Sequence, residues 1–226
     1  MSDADTSFLF DLDGTLVDSV YQHVLAWHEA LEQEGIELSI WRIHRKIGMS
    51  GGLFTDMLLR ETGLTFDSGR LDRLRRLHAD AYKRRAAGVR PLPGARELLA
   101  YLSEAGIAWT IATSGRMETA GPVLETLGVD VARTPVITRD MVRHAKPDPD
   151  LFLAAAAAIG KPIARACVVG DSVWDMLAAR RAGGLGVGLL SGGYGEDELV
   201  KASAYRVYAD PADLLAHIDE VGGRRP

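Results

Sequence analysis

The chain has 226 residues, 47% hydrophobic and 25% charged, enough for one globular domain with a smaller insertion. Acids outnumber Lys and Arg by 31 to 26, giving a formal charge of −5, so no basic stripe marks a nucleic-acid or anionic-membrane partner. The single cysteine, Cys167, excludes an internal disulfide, and no apolar run is long enough to span a membrane.

Residues 2–7 are polar and acidic, which does not read as a secretory leader, so a cytoplasmic protein is expected. The apolar run Phe8-Leu9-Phe10 then ends in Asp11, with Asp13-Gly14-Thr15 close behind. Such a run reads as a buried strand carrying a carboxylate at its C-terminal tip, where open α/β sheets bind ligands. Asp18 or Ser19 is expected to cap a helix through Gln33, with Gly35 as its stop. Over residues 36–88 apolar positions recur every three or four residues, among them Ile40, Ile43, Ile47, Leu53, Met57, Leu71, Leu74 and Leu77. That block reads as an all-helical insertion.

Pro91, Pro93 and Gly94 mark its end, and strands then alternate with helices. A helix over 95–104 precedes a strand over 107–113. A helix over 117–127, closed by Gly128, precedes a short strand over 135–138. Asp148 is expected to cap the next helix, with Pro149 at its first position and the alanine tract 154–158 in its body. A strand over 165–169 holds Cys167 as a small buried hydrophobe. A helix over 174–182, strands over 185–190 and 205–208, and a helix over 211–218 complete the pattern, and residues 222–226 are expected to fray. The alternation predicts an α/β fold, a Rossmann-like doubly wound parallel sheet with helices on both faces, into which the all-helical block is inserted.

Parallel strands place their C-terminal ends together, so Asp11, the pair Thr113-Ser114, Lys146 and Asp171 should converge, with Asp175 one helical turn beyond. This set suits phosphoryl transfer. An Asp carboxylate can attack phosphorus, but its charge repels phosphate unless a cation intervenes. Mg2+ takes oxygen ligands, which Asp11 and Asp171 offer as carboxylates and Asp13 as a backbone carbonyl. Lys146 brings a fixed positive charge, and Thr113 and Ser114 bring hydroxyls to phosphoryl oxygens. Asp13, two residues from Asp11, can protonate a departing alcohol and then activate water.

Four motifs carry a resemblance that covers the whole chain. They are Asp11-Leu12-Asp13-Gly14-Thr15, Ile111-Ala112-Thr113-Ser114-Gly115, Lys146-Pro147-Asp148-Pro149-Asp150 and Gly170-Asp171-Ser172-Val173-Trp174-Asp175. In order and spacing the chain resembles the haloacid dehalogenase superfamily, in its phosphatase branch with a helical cap; the resemblance implies a core of residues 1–16 and 89–226 and an all-helical cap over 17–88. The resemblance implies Asp11 as nucleophile, Asp13 as acid/base, and Thr113 and Lys146 on the phosphoryl group. It also implies Asp171 on Mg2+, and Asp175 in support of the metal's water shell or of the lysine. Dehalogenases of this superfamily lack the second acid, and phosphonatases replace it and use a cap lysine as a Schiff base. Asp13 therefore points away from both, even though Lys46 lies in the cap.

In the cap, the glycine-rich stretch 45–52 is the expected specificity loop, with Lys46 or Ser50 touching the substrate. Arg42 and Arg45 read as solvated. His23 reads as a hinge or substrate-side residue, and Arg116 as a residue at the mouth of the site or in solvent. A sugar-phosphate mutase resembling β-phosphoglucomutase is the alternative enzyme, but the arginine usual after the loop serine is replaced here by Gly51. A non-catalytic binding protein on this fold is the alternative of another class. The expected substrate is a small phosphorylated metabolite, phosphoglycolate-like or a sugar phosphate, taken by a monomer or homodimer.

Overall fold

Phe8, Leu9 and Phe10 are fully buried in the first strand, β1 (Ser7–Phe10), and pleating turns them to opposite faces of a sheet. Burial of each such side chain stabilises the fold by about 1.5–3 kcal/mol. The computed structural model describes residues 6–49, 51–65 and 67–224. After β1 come four helices: α1 (Val20–Gln33), α2 (Ile40–His44), α3 (Gly51–Thr62) and α4 (Ser68–Ala86). Then follow α5 (Ala95–Glu104), β2 (Ala108–Ala112), α6 (Met117–Leu127), β3 (Val136–Ile137), α7 (Asp150–Ala158) and β4 (Ala166–Gly170). The chain closes with α8 (Val173–Ala182), β5 (Leu185–Leu189), α9 (Glu196–Lys201), β6 (Arg206–Tyr208) and α10 (Pro211–Ala216).

The six strands are all parallel, in the order β3-β2-β1-β4-β5-β6. On one face Phe8 and Phe10 pack with Leu98 and Leu102 of α5, Val123 and Leu124 of α6 and Leu214 of α10. On the other, Leu9 packs with Leu151 and Phe152 of α7 and Ala178 and Ala179 of α8. Helices therefore cover both faces, as the alternation of elements requires. The chain winds one way from β1 through β2 to β3 and the other way from β4 to β6. The crevice where the direction reverses lies between the C-terminal ends of β1 and β4. Register puts Phe10 beside both Ile111 and Val169, so Asp11 leaves its strand level with the ends of both neighbours.

Helices α1–α4 bury a separate apolar cluster that includes Val24, Leu31, Ile43, Phe54, Leu58 and Leu74. No helix among the described residues is long and apolar enough to cross a membrane. Cys167 is buried and its Sγ–H donates to the Val221 carbonyl at 3.0 Å; burial pushes the thiol up to about 12.

Three local expectations are corrected. Helix α7 begins at Asp150, one residue after Pro149, and Asp148 makes no cap; it lies in the preceding turn, 3.6 Å from Arg181. Asp150 instead accepts from the His144 amide at 3.1 Å. Ser19 flanks α1 but its side chain makes no cap hydrogen bond; the hydroxyl is turned to Asp13, to which it donates. Residues 222–224 are held in place, while 225–226 lie outside the described residues: the Gly223 carbonyl accepts from the Tyr101 hydroxyl at 3.0 Å, and the exposed Arg224 pairs with Asp219 at 3.0 Å.

Candidate active site

Strand geometry fixes the acids. Asp11 is the first residue past β1, and its amide still donates to the Val169 carbonyl at 2.9 Å, which holds the backbone in the sheet's register. Asp171 is the first residue past β4 and accepts from the Thr15 hydroxyl at 3.0 Å. Asp175 lies in the first turn of α8, where a capping box joins it to Ser172. The Ser172 amide donates to Asp175 Oδ2 at 3.1 Å, and the Asp175 amide donates back to the Ser172 hydroxyl at 3.3 Å. The Lys146 ammonium, wholly buried, pairs with Asp11 and lies 2.7 Å from Asp175 Oδ1.

Crowding sets the charge states. Burial, opposed by Lys146 and aided by Asp175 and Asp13, raises Asp11 to about 7. Burial, then Asp175 and Asp11, raises Asp171 well above the usual carboxylate range, against the pull of Thr15 and Lys146. Burial would lower Lys146, but Asp11 and Asp175 outweigh it and its ammonium titrates above the usual lysine range.

Carboxylate oxygens of Asp11, Asp171 and Asp175 all lie within 4.8 Å of one another. Among the described residues three buried carboxylates face one ammonium, which leaves the group short of positive charge, as an all-oxygen site for a divalent cation would be. Space around Asp171 is kept by glycines: a Cβ on Gly192 would lie 1.7 Å from Asp171 Oδ2, and one on Gly14 2.5 Å from it. Asp175 is already engaged with Lys146 and Ser172. Asp11 is engaged with Lys146 as well, so Asp11, Asp171 and Asp175 are the carboxylates this cluster offers a cation, Asp171 being the one turned away from the lysine's two ion pairs.

Asp13 differs from Asp11. Burial would raise it, but His23 and Ser19 outweigh burial and hold it below the usual range. Ser19 Oγ donates to Asp13 Oδ1 at 2.5 Å, and His23 Nε2 lies 3.3 Å from the same oxygen. Asp13 Oδ2 is turned toward Gly115. Thr113 follows β2; its Oγ1 accepts from the Gly115 amide at 2.9 Å, which leaves the hydroxyl proton to donate. A cleft of about 700 Å3 opens over Asp11, Asp13 and Thr113, walled by Ile47 and Met49 beside α2 and by Arg75 and His78 of α4.

The remaining sequence candidates are placed as follows. Ser114 lines the cleft, but its hydroxyl donates to the Gly48 carbonyl at 3.0 Å, joining the loop after β2 to the loop after α2. Lys46 also lines the cleft, but its ammonium is 2.7 Å from Glu61 and donates to the Arg42 carbonyl at 3.2 Å, so its charge is already matched. Arg116 stands at the mouth, largely exposed, 3.3 Å from Asp140. Ser50 lies outside the described residues. Arg45 is not solvated as expected: it pairs with Glu198 and covers the Tyr194 ring at 4.5 Å. Its carbonyl accepts from Trp174 Nε1 at 3.2 Å and from the Tyr194 hydroxyl at 3.0 Å, which docks the helical layer on the sheet domain.

Sequence reasoning assigned no contact to Thr15, although it stands in the first motif, and took Ser19 for a helix cap. His78 carried no signal at all: it sits in a helix dense with Arg and Asp and comes within 3.2 Å of His23 only because α4 packs along α1.

The arrangement is a pair of unlike carboxylates, a buried lysine and a hydroxyl with its proton to donate, all facing one cleft. Residues 6–183 match the model of a haloacid dehalogenase-like hydrolase, and the chain belongs to that family. It is 34% identical over 210 residues to a phosphoglycolate phosphatase of Caulobacter vibrioides, covering 92% of this chain and 85% of the relative. It is 31% identical over 176 residues to the N-acetylmuramic acid 6-phosphate phosphatase of Pseudomonas aeruginosa, covering 77% of each. Among solved structures, a hydrolase from Pseudomonas syringae superposes with a TM-score of 0.93 at 57% identity, over 95% of this chain and 98% of that one. The chain is an enzyme of this hydrolase family, and the non-catalytic reading is set aside.

Proposed function

We propose that the chain hydrolyses the phosphate monoester of a small metabolite through an aspartyl-phosphate on Asp11, with Mg2+ as its metal. The observation that carries this reading is the contrast between two acids two residues apart. Asp11 is buried beside Lys146 at the floor of the cleft, and Asp13 is held by Ser19 and His23 with its other oxygen free. Asp11 attacks phosphorus, the ester P–O bond breaks, and Asp13 gives the leaving alkoxide its proton. A phosphate dianion beside Asp13 raises that acid's proton affinity, so the ionised Asp13 of the free site takes up a proton as substrate enters. In the second step Asp13 takes a proton from water, the water oxygen attacks phosphorus, and the P–O bond to Asp11 breaks, releasing phosphate and the free carboxylate.

Lys146 and the Thr113 hydroxyl hold phosphoryl oxygens through both steps. Mg2+, held by Asp11, Asp171 and the Asp13 carbonyl, would supply positive charge against the phosphoryl oxygens. Asp175 supports the site by holding Lys146 in place. Residues 17–88 act as the cap that covers the reacting atoms, and the cleft's Arg75, Arg76 and Arg139, set among apolar walls, suit a small anionic ester, phosphoglycolate-like or a sugar phosphate. The relatives, named for phosphoglycolate and for a sugar 6-phosphate, support that substrate class.

The test is phosphate release from a panel of small phosphate esters, with Mg2+ or EDTA, for wild type, Asp11→Asn and Asp13→Asn. Metal-dependent release that disappears in Asp11→Asn is expected. Release that survives this change would overturn the covalent mechanism.

A further inference from the structure

A line of ring contacts runs from Asp13 away from the reacting atoms, and the proposed mechanism leaves its outer member without a role. His23 Nε2 lies 3.3 Å from Asp13 Oδ1, and His23 Nδ1 lies 3.2 Å from His78 Nε2. Both rings are clamped by stacking. His23 lies on Tyr82 with centroids 3.9 Å apart and planes within 4°, and His78 lies on Trp27 at 4.2 Å and 15°. With the rings fixed, only the protons remain to be placed.

We propose that His78 is a positioning residue: its Nε2–H donates to His23 Nδ1, which fixes His23 as the Nε2–H tautomer and aims that N–H at Asp13 Oδ1. The inference rests on the acid–base role given above to Asp13. A contact between two imidazole nitrogens is attractive only if one of them carries a proton. If His23 Nδ1 carried it, a neutral His23 would turn a bare Nε2 lone pair on the Asp13 carboxylate, and two acceptors would face each other at 3.3 Å. Placing the proton on His78 Nε2 satisfies both contacts without adding charge. Burial lowers His78 well below the usual histidine range and keeps it neutral, in keeping with this arrangement.

The consequence lies at Asp13. Its Oδ1 receives two donors, Ser19 Oγ and His23 Nε2, so the carboxylate cannot rotate freely, and Oδ2 stays directed at the cleft beside Gly115. His78 belongs to α4, His23 to α1, and Asp13 to the loop after β1. The hydrogen-bonded line therefore ties the orientation of the acid to the seating of α4 on α1. It acts through His23, which it holds in one protonation pattern, as partners beyond the first contact orient active-site histidines generally.

The experiment reads the tautomer directly. Long-range 15N–1H spectra of metal-free protein at neutral pH, with His23 assigned by its loss in His23→Gln, are compared for wild type, His78→Phe and His78→Gln. Wild type is expected to show His23 with a protonated Nε2 and a bare, hydrogen-bonded Nδ1. In His78→Phe, which keeps a ring on Trp27, His23 should become a mixture of tautomers. With p-nitrophenyl phosphate and Mg2+, kcat should fall about tenfold in that variant while KM stays within about twofold. His78→Gln, whose side-chain N–H can donate to Nδ1, should restore the single tautomer and bring kcat to within about threefold of wild type. A pure Nε2–H tautomer and full kcat in His78→Phe would overturn the proposal. So would a doubly protonated His23 in wild type, or a His78→Gln protein with its tautomer restored and its kcat still low. Full turnover by Asp13→Asn would instead remove the acid–base role beneath it and leave the spectra unchanged.

Discussion

The Lys146 ammonium sits between two buried carboxylates, paired with Asp11 on one side and 2.7 Å from Asp175 on the other, and none of its surface reaches solvent. A buried ammonium is tolerated only when matched in this way, and the carboxylates depend equally on it. Lys146→Met keeps the apolar stem and deletes the charge, leaving Asp11, Asp171 and Asp175 to repel one another. Unfolding free energy at pH 8 should fall by about 3–5 kcal/mol in urea titrations, the usual cost of stripping one partner from a buried pair. Phosphate release should vanish. Part of the lost stability should return at pH 5, where protonation relieves the repulsion. A Lys146→Met protein as stable as wild type at pH 8 would show that the ammonium does not hold these acids together.

The second prediction follows from Asp11, which titrates near 7 in the fold against an ordinary value of 3.8. Between those values the native state binds more protons than the unfolded chain, so stability falls as pH rises. The contribution is complete below about pH 4 and is lost as pH climbs through about 7. Asp11→Asn cannot titrate there. In metal-free protein, wild type minus Asp11→Asn stability should therefore decline from pH 4 to pH 8, by about 4 kcal/mol at most. Adding Mg2+ should stabilise wild type more at pH 8 than at pH 5, because the cation binds the ionised acids. Parallel stability curves for the two proteins would contradict the raised Asp11.

A third prediction concerns Thr15, whose hydroxyl is 3.0 Å from Asp171 Oδ1 across a sequence gap of 156 residues. Thr15→Val keeps the shape and removes the donor that orients the proposed metal carboxylate. The Mg2+ concentration for half-maximal activity should rise about 10–100-fold, the range seen when a ligand's own hydrogen-bond partner is lost. Thr15→Ser should stay near wild type. An unchanged Mg2+ requirement in Thr15→Val would mean that Asp171 is held by its backbone alone.

What the sequence made legible is what strand ends dictate. An apolar run stopping at a carboxylate places that acid at the tip of a parallel strand, and the tips meet whatever the loops do. Asp11, Asp171 and Thr113 could therefore be brought together on paper, and Lys146, in the segment beyond β3, only with the motif it stands in. Contacts set by how helices pack could not. Lys46 reads as a substrate contact in a glycine-rich loop, but the fold-back of α3 carries Glu61 to within 2.7 Å of it. His78 reads as one more polar position on a charged helix, and only the packing of α4 on α1 brings it to His23. Asp148 and Asp150 flank Pro149 symmetrically in sequence. In the fold Pro149 is the residue that flanks the helix, so Asp148 stands one position too early for its carboxylate to cap the first amides.

The last prediction separates two adjacent hydroxyls that sequence treats alike. Thr113 Oγ1 accepts from the Gly115 amide at 2.9 Å and has its own proton left for a phosphoryl oxygen. Ser114 has already given its proton to the Gly48 carbonyl at 3.0 Å. Thr113→Val should therefore act on the chemical step, lowering kcat by about 10–100-fold, the scale of losing one aligned donor in a low-dielectric site. Ser114→Ala should instead loosen the loop after α2. A lost neutral hydrogen bond of about 1 kcal/mol there predicts a KM increase of about fivefold and a kcat within about twofold of wild type. Steady-state kinetics on one good ester, with Mg2+ saturating, decides the matter. A large kcat defect in Ser114→Ala with little change in Thr113→Val would reverse the two roles and place the phosphoryl group one residue further along the loop.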